Sequence, residues 1–335
     1  MFQSILAATD RVTPGDPVVV SAARLANAFK VPWSIIHVLE STSLDNRQRI
    51  LHFRTGQEQD ATARYRADVR HRLRQSYRDL LAWAPPCEVI IATGFPWKEI
   101  GHQAALLASD LIIMGPHAGI SSKRGALRVQ GRIGSTVEGI LTRKLCPVLI
   151  INQYPCRPKP AFKRILIGID FSATCERALK FAVTLARFYN THIDLFHMLP
   201  VPPYPKYTRD DYETDRAKTR DRMASFCEFD LSDIPHRFHC WGGALPYREL
   251  LKCAAKCQAD AIVLGSHTTE RQGKWYAGST VEKISLQSPC PVFVLTASCA
   301  LPSSRTTSRT LEEQPASTRD HAIHVFGKKL VGRAH

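Results

Sequence analysis

No stretch of this chain approaches the roughly 20 consecutive apolar residues that a helix needs to cross a bilayer core, so no membrane span is expected. The N-terminus, MFQSILAATD, has no basic segment followed by a long apolar one, so no secretory leader is expected either. The ten cysteines form no short-spaced framework, which argues against a disulfide scaffold. In a chain without a leader they read as free thiols of a reducing, cytoplasmic compartment. Helix-turn-helix, zinc-finger and aromatic RNA-platform signatures are missing, which argues against a nucleic-acid partner. Acidic residues are scarce, 30 against 45 Lys and Arg, giving a formal net charge of +15. Part of the excess is a cluster of Arg64, Arg66, Arg70, Arg72, Arg74 and Arg78, interleaved with Asp68 and Asp79. Such a run is expected as the solvated face of a helix.

What is present is enough for two domains: 335 residues, 44% apolar, mean hydropathy −0.17. The chain also repeats itself. ILAATD (Ile5–Asp10) recurs as ILIGID (Ile165–Asp170), and SIIHVL (Ser34–Leu39) as DLFHML (Asp194–Leu199), both at an offset of 160. GFPWKEI (Gly94–Ile100) pairs with ALPYREL (Ala244–Leu250), and SDLIIMGPH (Ser109–His117) with ADAIVLGSH (Ala259–His267), at 150. GSTVEGI (Gly134–Ile140) and CPVLI (Cys146–Ile150) pair with GSTVEKI (Gly278–Ile284) and CPVFV (Cys290–Val294), at 144. Order is kept and the offset changes only between motifs, as changes in loop length would produce. The chain is a tandem duplication.

Within each copy the apolar period alternates. Short runs such as ILIGID have strand length, and ERALKFAVTLARFYN places Ala178, Ala182, Leu185 and Ala186 on one helical face. Asp16 with Pro17, and Ser172, are helix-start signals. Apolar strands separated by helices predict a parallel sheet covered on both faces. Each copy is therefore expected as a doubly wound α/β domain of about five strands. The expected limits are 1–153 and 162–298. A linker over 154–161 contains Pro155, Pro158 and Pro160, and a Ser/Thr/Arg-rich tail over 299–335 reads as a flexible basic extension.

Doubly wound sheets bind ligands at the carboxyl ends of strands where strand order reverses. The first and fourth strands of each copy are candidates to flank that point, with Asp10 and Asp170 ending the first and Gly115 and Gly265 the fourth. Gly278-Ser279-Thr280, and Gly134-Ser135-Thr136, open the next helices, where free N–H groups and the helix dipole favour an anion. Gly273-Lys274 inside the second loop is not a Walker A motif: Trp275 follows it and Thr268 stands where that motif needs a glycine.

The order strand, G-x-x-G, nine residues, G-[ST] resembles the nucleotide loop of the universal stress protein family. The second copy reads Gly265, Ser266, His267 and then Thr268 in place of the second glycine, nine further residues, and Gly278-Ser279-Thr280. Asp170, the pair His197-Met198 and the closing Cys290-Pro291-Val292 fit the same pattern. The resemblance covers both copies. It implies adenine-nucleotide-binding α/β domains in a soluble protein, with a homodimer or an intramolecular domain pair as the assembly. It further implies ATP or a related adenine nucleotide as ligand, with Mg²⁺ accompanying it, and no membrane partner. Carried across, the implied site is Asp170, Met198, Gly265, Ser266, His267, Thr268, Gly278, Ser279 and Thr280. In the first copy it is Asp10, Val38, Gly115, His117, Gly134, Ser135 and Thr136. There Ala118 replaces the second glycine, and a longer loop carries Lys123, Arg124, Arg128 and Arg132.

Other constellations say less. His236, His239 and Cys240 invite a metal, but residues 236 and 239 of a strand point to opposite faces. Cys253 and Cys257 read as core, and His37 and His197 as buried, satisfied histidines. No nucleophile, base and orienter can be assembled into a catalytic set. The expected function is that of a regulatory nucleotide-binding stress protein rather than an enzyme. The alternatives are a nucleotide-free interaction protein and a slow ATP hydrolase.

Overall fold

A computed structural model describes residues 1–42, 49–52, 55–116, 133–152, 162–200, 207–267, 269–271, 274–276 and 278–301. The expected linker over 154–161, and residues 302–335 of the expected tail, lie outside them. The apolar runs become strands and the amphipathic segments become helices, and the main sheet strands of each copy alternate with helices. In the first copy the elements are β1 (Ile5–Ala8), α1 (Pro17–Phe29), β2 (Trp33–Glu40), β3 (Arg49–Leu51), β4 (Glu58–Asp60), α2 (Ala63–Ser76) and α3 (Arg78–Trp83). They continue as β5 (Cys87–Gly94), α4 (Pro96–Leu106), β6 (Leu111–Met114), α5 (Ser135–Arg143) and β7 (Val148–Ile150). The second copy begins with β8 (Arg164–Gly168), α6 (Ala173–Tyr189), β9 (His192–Leu199), α7 (Arg209–Leu231), β10 (His236–Gly242) and α8 (Pro246–Cys257). It closes with β11 (Ala261–Ser266), β12 (Thr269–Arg271), β13 (Lys274–Tyr276), α9 (Ser279–Gln287) and β14 (Val292–Thr296).

The helix starts are where the polar residues put them. Asp16 caps α1 through Val18 N–H, and Ser172 caps α6 through Cys175 N–H at 3.1 Å. Each helix then buries its apolar stripe, Ala22, Leu25 and Ala26 in α1 and Ala178, Ala182, Leu185 and Ala186 in α6.

The ten main strands form one sheet in the order β10-β9-β8-β11-β14-β7-β6-β1-β2-β5. Pairing is parallel within each copy, and the strand order reverses between β1 and β6 and between β8 and β11, as the doubly wound reading requires. The copies meet where β14 and β7 pair antiparallel, Val292 opposite Ile150, Phe293 opposite Leu149 and Val294 opposite Val148. That join, and the small antiparallel hairpins β3–β4 and β12–β13, have no counterpart in the sequence reading, because three-residue segments are too short to show a period. One buried core lies under α1, α2, α6 and α7 on one face of the sheet, and a second lies under α4, α5, α8 and α9 on the other.

Few aromatic residues are available, and many of them gather at the seam. Phe29 of the first copy stacks on Phe188 of the second with ring centroids 4.1 Å apart, while Phe2 lies 6.1 Å from Phe181. Phe293 lies 5.1 Å from Phe181 and 5.7 Å from Phe162. Cross-copy hydrogen bonds add to this: Asn152 Nδ2 donates to Leu286 O at 2.6 Å, and Ile133 N–H to Glu282 Oε1 at 3.2 Å. Burying a common core makes the copies mutually dependent. Circular dichroism and tryptophan fluorescence are therefore expected to report one coincident urea transition. Phe293→Ala should lower that stability by about 3–5 kcal/mol for both copies together; two separate transitions would contradict the shared core.

Candidate functional site

The reversal of strand order opens a crevice at the carboxyl end of each copy's strands. In the second copy Asp170 follows β8 by two residues rather than ending it, because the strand stops at Gly168. The last β8–β9 pair is Gly168 with Phe196, which puts Asp170 and Met198 level with one another. Asp170 Oδ1 accepts from Ser172 N–H at 3.0 Å and Ser172 Oγ at 2.6 Å, and Oδ2 lies 3.0 Å from His267 Nε2. Partial burial acts to raise this carboxyl, but the Ser172 and His267 hydrogen bonds outweigh it and hold Asp170 below the usual carboxylate range.

Gly265 lies in β11, Ser266 ends it and exposed His267 follows; Thr268 is outside the described residues. Gly278 is the N-cap of α9, with Ser279 and Thr280 in the first turn. Among the described residues no side chain caps that turn, which leaves its leading N–H groups open to a ligand. A Cβ on Gly278 would meet nothing closer than the His267 carbonyl at 3.9 Å. The structure thus brings Asp170, His267 and the Gly278 helix start together. Gly265 has a different reason for being glycine: a Cβ there would lie 2.8 Å from the Thr174 carbonyl and 2.9 Å from Cys175 N. It lets the strand end pass directly beneath the first turn of α6.

The first copy is built alike but charged differently. Asp10 follows β1 by two residues and is level with Val38. Gly115 follows β6, and Gly134 is the N-cap of α5, whose first turn, with Ser135 and Thr136, again has no side-chain cap among the described residues. Gly134 N–H donates to Pro116 O at 2.9 Å, which fixes the approach to the helix. His117, Lys123, Arg124, Arg128 and Arg132 lie outside the described residues. Asp10 Oδ2 is buried and has no hydrogen-bond partner among the described residues. Burial raises its carboxyl above the usual range, Asp16 adds to the rise, and Arg11 opposes it only in part.

Both strand-two histidines are satisfied by a backbone carbonyl, but only His37 is buried as expected; His197 is half-buried. His37 Nδ1–H donates to Thr9 O at 2.9 Å and His197 Nδ1–H to Ile169 O at 2.8 Å, tying β2 and β9 to the turns that carry the aspartates. Burial keeps His37 neutral by lowering its pKa. Sequence reasoning missed two supports. Phe171 adopts φ +61°, packs 4.8 Å from the His197 ring and carries the Arg222 guanidinium 3.9 Å above it. In the first copy Thr9 Oγ1 donates to Asp16 Oδ2, and Tyr77 OH donates to Arg11 O at 2.8 Å. Neither carried a periodicity or motif.

The weaker constellations find ordinary partners. His239 Nε2 lies 2.6 Å from buried Asp194, and His236 Nδ1 donates to Ile234 O at 2.8 Å. Among the described residues no group of three or more His, Cys, Asp or Glu is arranged to hold a metal ion. The described cysteines are all free thiols, with Cys253 and Cys257 buried in the core as expected. Among the described residues no helix is long and apolar enough to cross a membrane.

The universal stress protein family model matches residues 1–152 and 161–296. The universal stress protein in the QAH/OAS sulfhydrylase 3′ region of Thermus aquaticus is 26% identical over 137 residues, covering 40% of this chain and 98% of that protein. A universal stress protein from Archaeoglobus fulgidus has a similar crystal structure, with a TM-score of 0.60 and 21% identity, over 88% of this chain and 98% of that one. A functionally unknown protein from Pseudomonas aeruginosa gives a TM-score of 0.57 at 16% identity, over 88% of this chain and 92% of that one.

Two outcomes follow from the glycine and aspartate geometry. Gly265→Ala should destabilise by about 1–3 kcal/mol in urea titration, because the backbone of α6 must shift, whereas Gly278→Ala should stay within about 0.5 kcal/mol. Equal costs would show that the strand end does not need the close approach. Asp10 is held above its unfolded pKa, so the folded chain keeps that proton longer and stability falls as pH rises through the folded value. Asp10→Asn should therefore be more stable than the parent at pH 7, with the difference closing below the unfolded value of 3.8. No gain at pH 7 would contradict a carboxyl raised by the burial of its Oδ2.

Proposed function

Starting from the premise that this chain belongs to the universal stress protein family, we propose that it binds ATP or a related adenine nucleotide as a regulatory ligand, at one or both strand-order reversals. The observation that carries the reading is a pairing repeated in both copies. An acidic side chain at the carboxyl end of the first strand shares the crevice with a G-S-T helix start whose first turn has no side-chain cap. An uncapped helix N-terminus supplies N–H donors and a positive dipole end to phosphate. The orphaned Oδ2 of Asp10 is an acceptor for which an adenine amino group is a chemically suited donor.

In this reading Gly278, Ser279 and Thr280 hold the phosphates in the second copy, and Gly134, Ser135 and Thr136 in the first. Gly265, Ser266 and His267 lie beside them, as Gly115 does in the first copy, with Thr268 and His117 the sequence neighbours that complete the proposed set. Asp170 with Met198, and Asp10 with Val38, face the base and ribose. The nucleotide supplies triphosphate charge, with Mg²⁺ accompanying it. The chain's own residues bind and orient it without a general base among them. His267 must leave Asp170 for a base to take its place. Binding therefore couples to the segment from Gly265 to Thr280 and alters the surface that segment presents.

Protein purified gently, then denatured and analysed by mass spectrometry, should release adenine nucleotide. Millimolar ATP with Mg²⁺ should raise the melting temperature, as a ligand at 100 times its Kd stabilises by about 2.7 kcal/mol. Gly278→Val, which puts a branched side chain where the phosphates would sit, should abolish the second copy's share of that shift, and Gly134→Val the first's. No retained nucleotide together with no thermal shift would overturn the reading. Phosphate release above that of the double variant would convert it to a hydrolase.

A further inference from the structure

Helix α2 contains five arginines and one aspartate, and only Val69 and Leu73 of it are buried. Arg66, Arg70 and Arg74 recur at i, i+4 and i+8, so their side chains line one ridge with a rise of about 6 Å between neighbours. All three are exposed, and among the described residues none of them is in an ion pair. The reason is visible in the spacing: no acidic residue stands three or four positions from any of them. The one aspartate of the helix, Asp68, lies on another side, with Arg64 and Arg72 four positions before and after it. A ridge of like charge in this arrangement destabilises the helix that carries it, by a few tenths of a kcal/mol per i,i+4 pair.

The fold does not require this charge. The equivalent helix of the second copy, α7, holds seven acidic and five basic residues, opens with a capping box at Thr208 and Asp211, and pairs Arg216 with Glu213 at 2.9 Å. The same position in the same fold is therefore self-neutralised in one copy and left strongly positive in the other. Beyond the ridge the chain turns at Tyr77 into α3, which ends in Trp83, 53% exposed.

We propose that the Arg66–Arg70–Arg74 ridge binds the phosphate backbone of a single-stranded nucleic acid. Guanidinium groups match phosphate oxygens bidentately and cannot lose their charge. Their regular step suits a ligand whose charge is itself periodic, as the phosphates of a nucleic-acid backbone are. The net charge of +15 disfavours a second copy of this chain as the occupant. The exposed indole of Trp83 offers a base a stacking face, which a paired duplex does not exploit. Absence of a recognised nucleic-acid motif is compatible with this, because contacts to the backbone carry no sequence signature.

The test uses the full chain and a fluorescein-labelled 20-nucleotide oligouridylate, read by fluorescence anisotropy between 50 and 200 mM salt. Three phosphate contacts should give a slope of log K against log salt of about −2. Replacing Arg66, Arg70 and Arg74 together by Glu, and separately by Gln, should weaken binding about tenfold or more and flatten the slope, with the circular dichroism spectrum unchanged. Reversing exposed Arg209, Lys218 and Arg220 of α7, an equal change of net charge, should leave affinity within about twofold. Trp83→Ala should weaken binding at least about fivefold with the salt slope retained. No binding at 50 mM salt, or an equal loss on reversing α7, would overturn the assignment of the ridge. Tighter binding of polyglutamate than of the oligonucleotide would give the ridge to an acidic protein instead. Equal affinity for duplex and single strand with Trp83→Ala unaffected would overturn the single-stranded assignment.

Discussion

The antiparallel pairing of β7 with β14 is the constraint from which the rest of this molecule follows. Three residues of each strand face one another, yet they turn two five-stranded sheets into one sheet of ten. Both strands are fully buried, with helices on each face, so the join is made of backbone hydrogen bonds inside apolar packing. There, unpaired N–H and C=O groups would each cost on the order of 1–3 kcal/mol. Neither copy can withdraw from the seam without exposing a sheet edge and the rings of Phe29, Phe188, Phe181 and Phe293. The pairing also points the carboxyl ends of the two copies' strands in opposite directions, giving the chain two separately approached crevices. Glu282 of α9 still reaches Ile133 at the threshold of α5, so the two helix starts are linked by a direct contact across the seam.

Duplication made the two crevices alike, and a few side chains then made them different. Asp170 has Ser172 and His267 as partners and is held ionised below its usual range. Asp10 has neither: Arg11 and Val12 occupy the positions of Phe171 and Ser172, and its carboxyl is raised by burial. One copy keeps its acidic group satisfied by the protein, whereas among the described residues the other leaves an acceptor buried and unmet at a stability cost. Retained orphan groups of that kind tend to mark places where function outweighs stability. The same divergence appears on the outer helices, where α2 is left positive and α7 balances its own charge.

Much of the fold was legible because it depends on local regularities. Repeated motifs with conserved order gave the duplication. Strand-length apolar runs gave the parallel sheets, and Asp16, Pro17 and Ser172 gave the helix starts. The crevice was legible in outline, since the residues after strands one and four must meet where strand order reverses. What the sequence withheld was contact through space. Nothing in the spacing announces that His267 meets Asp170, that Asp10 Oδ2 has no partner among the described residues, or that Phe171 takes a left-handed conformation beneath Arg222. The resemblance places Gly265 in the implied site, and the close approach of the α6 backbone is a second, structural reason for its missing side chain. The seam itself rests on segments too short to carry a period.

The central claim is that the uncapped first turns of α5 and α9 receive the phosphates of an adenine nucleotide. Amide hydrogen exchange reports directly on those donors. With saturating ATP and Mg²⁺, the backbone N–H groups of Ser279 and Thr280, of Ser135 and Thr136, or of both pairs, are expected to exchange more slowly than in the ligand-free chain. Unchanged exchange at all four, with ATP present at any concentration that binds, would contradict the claim.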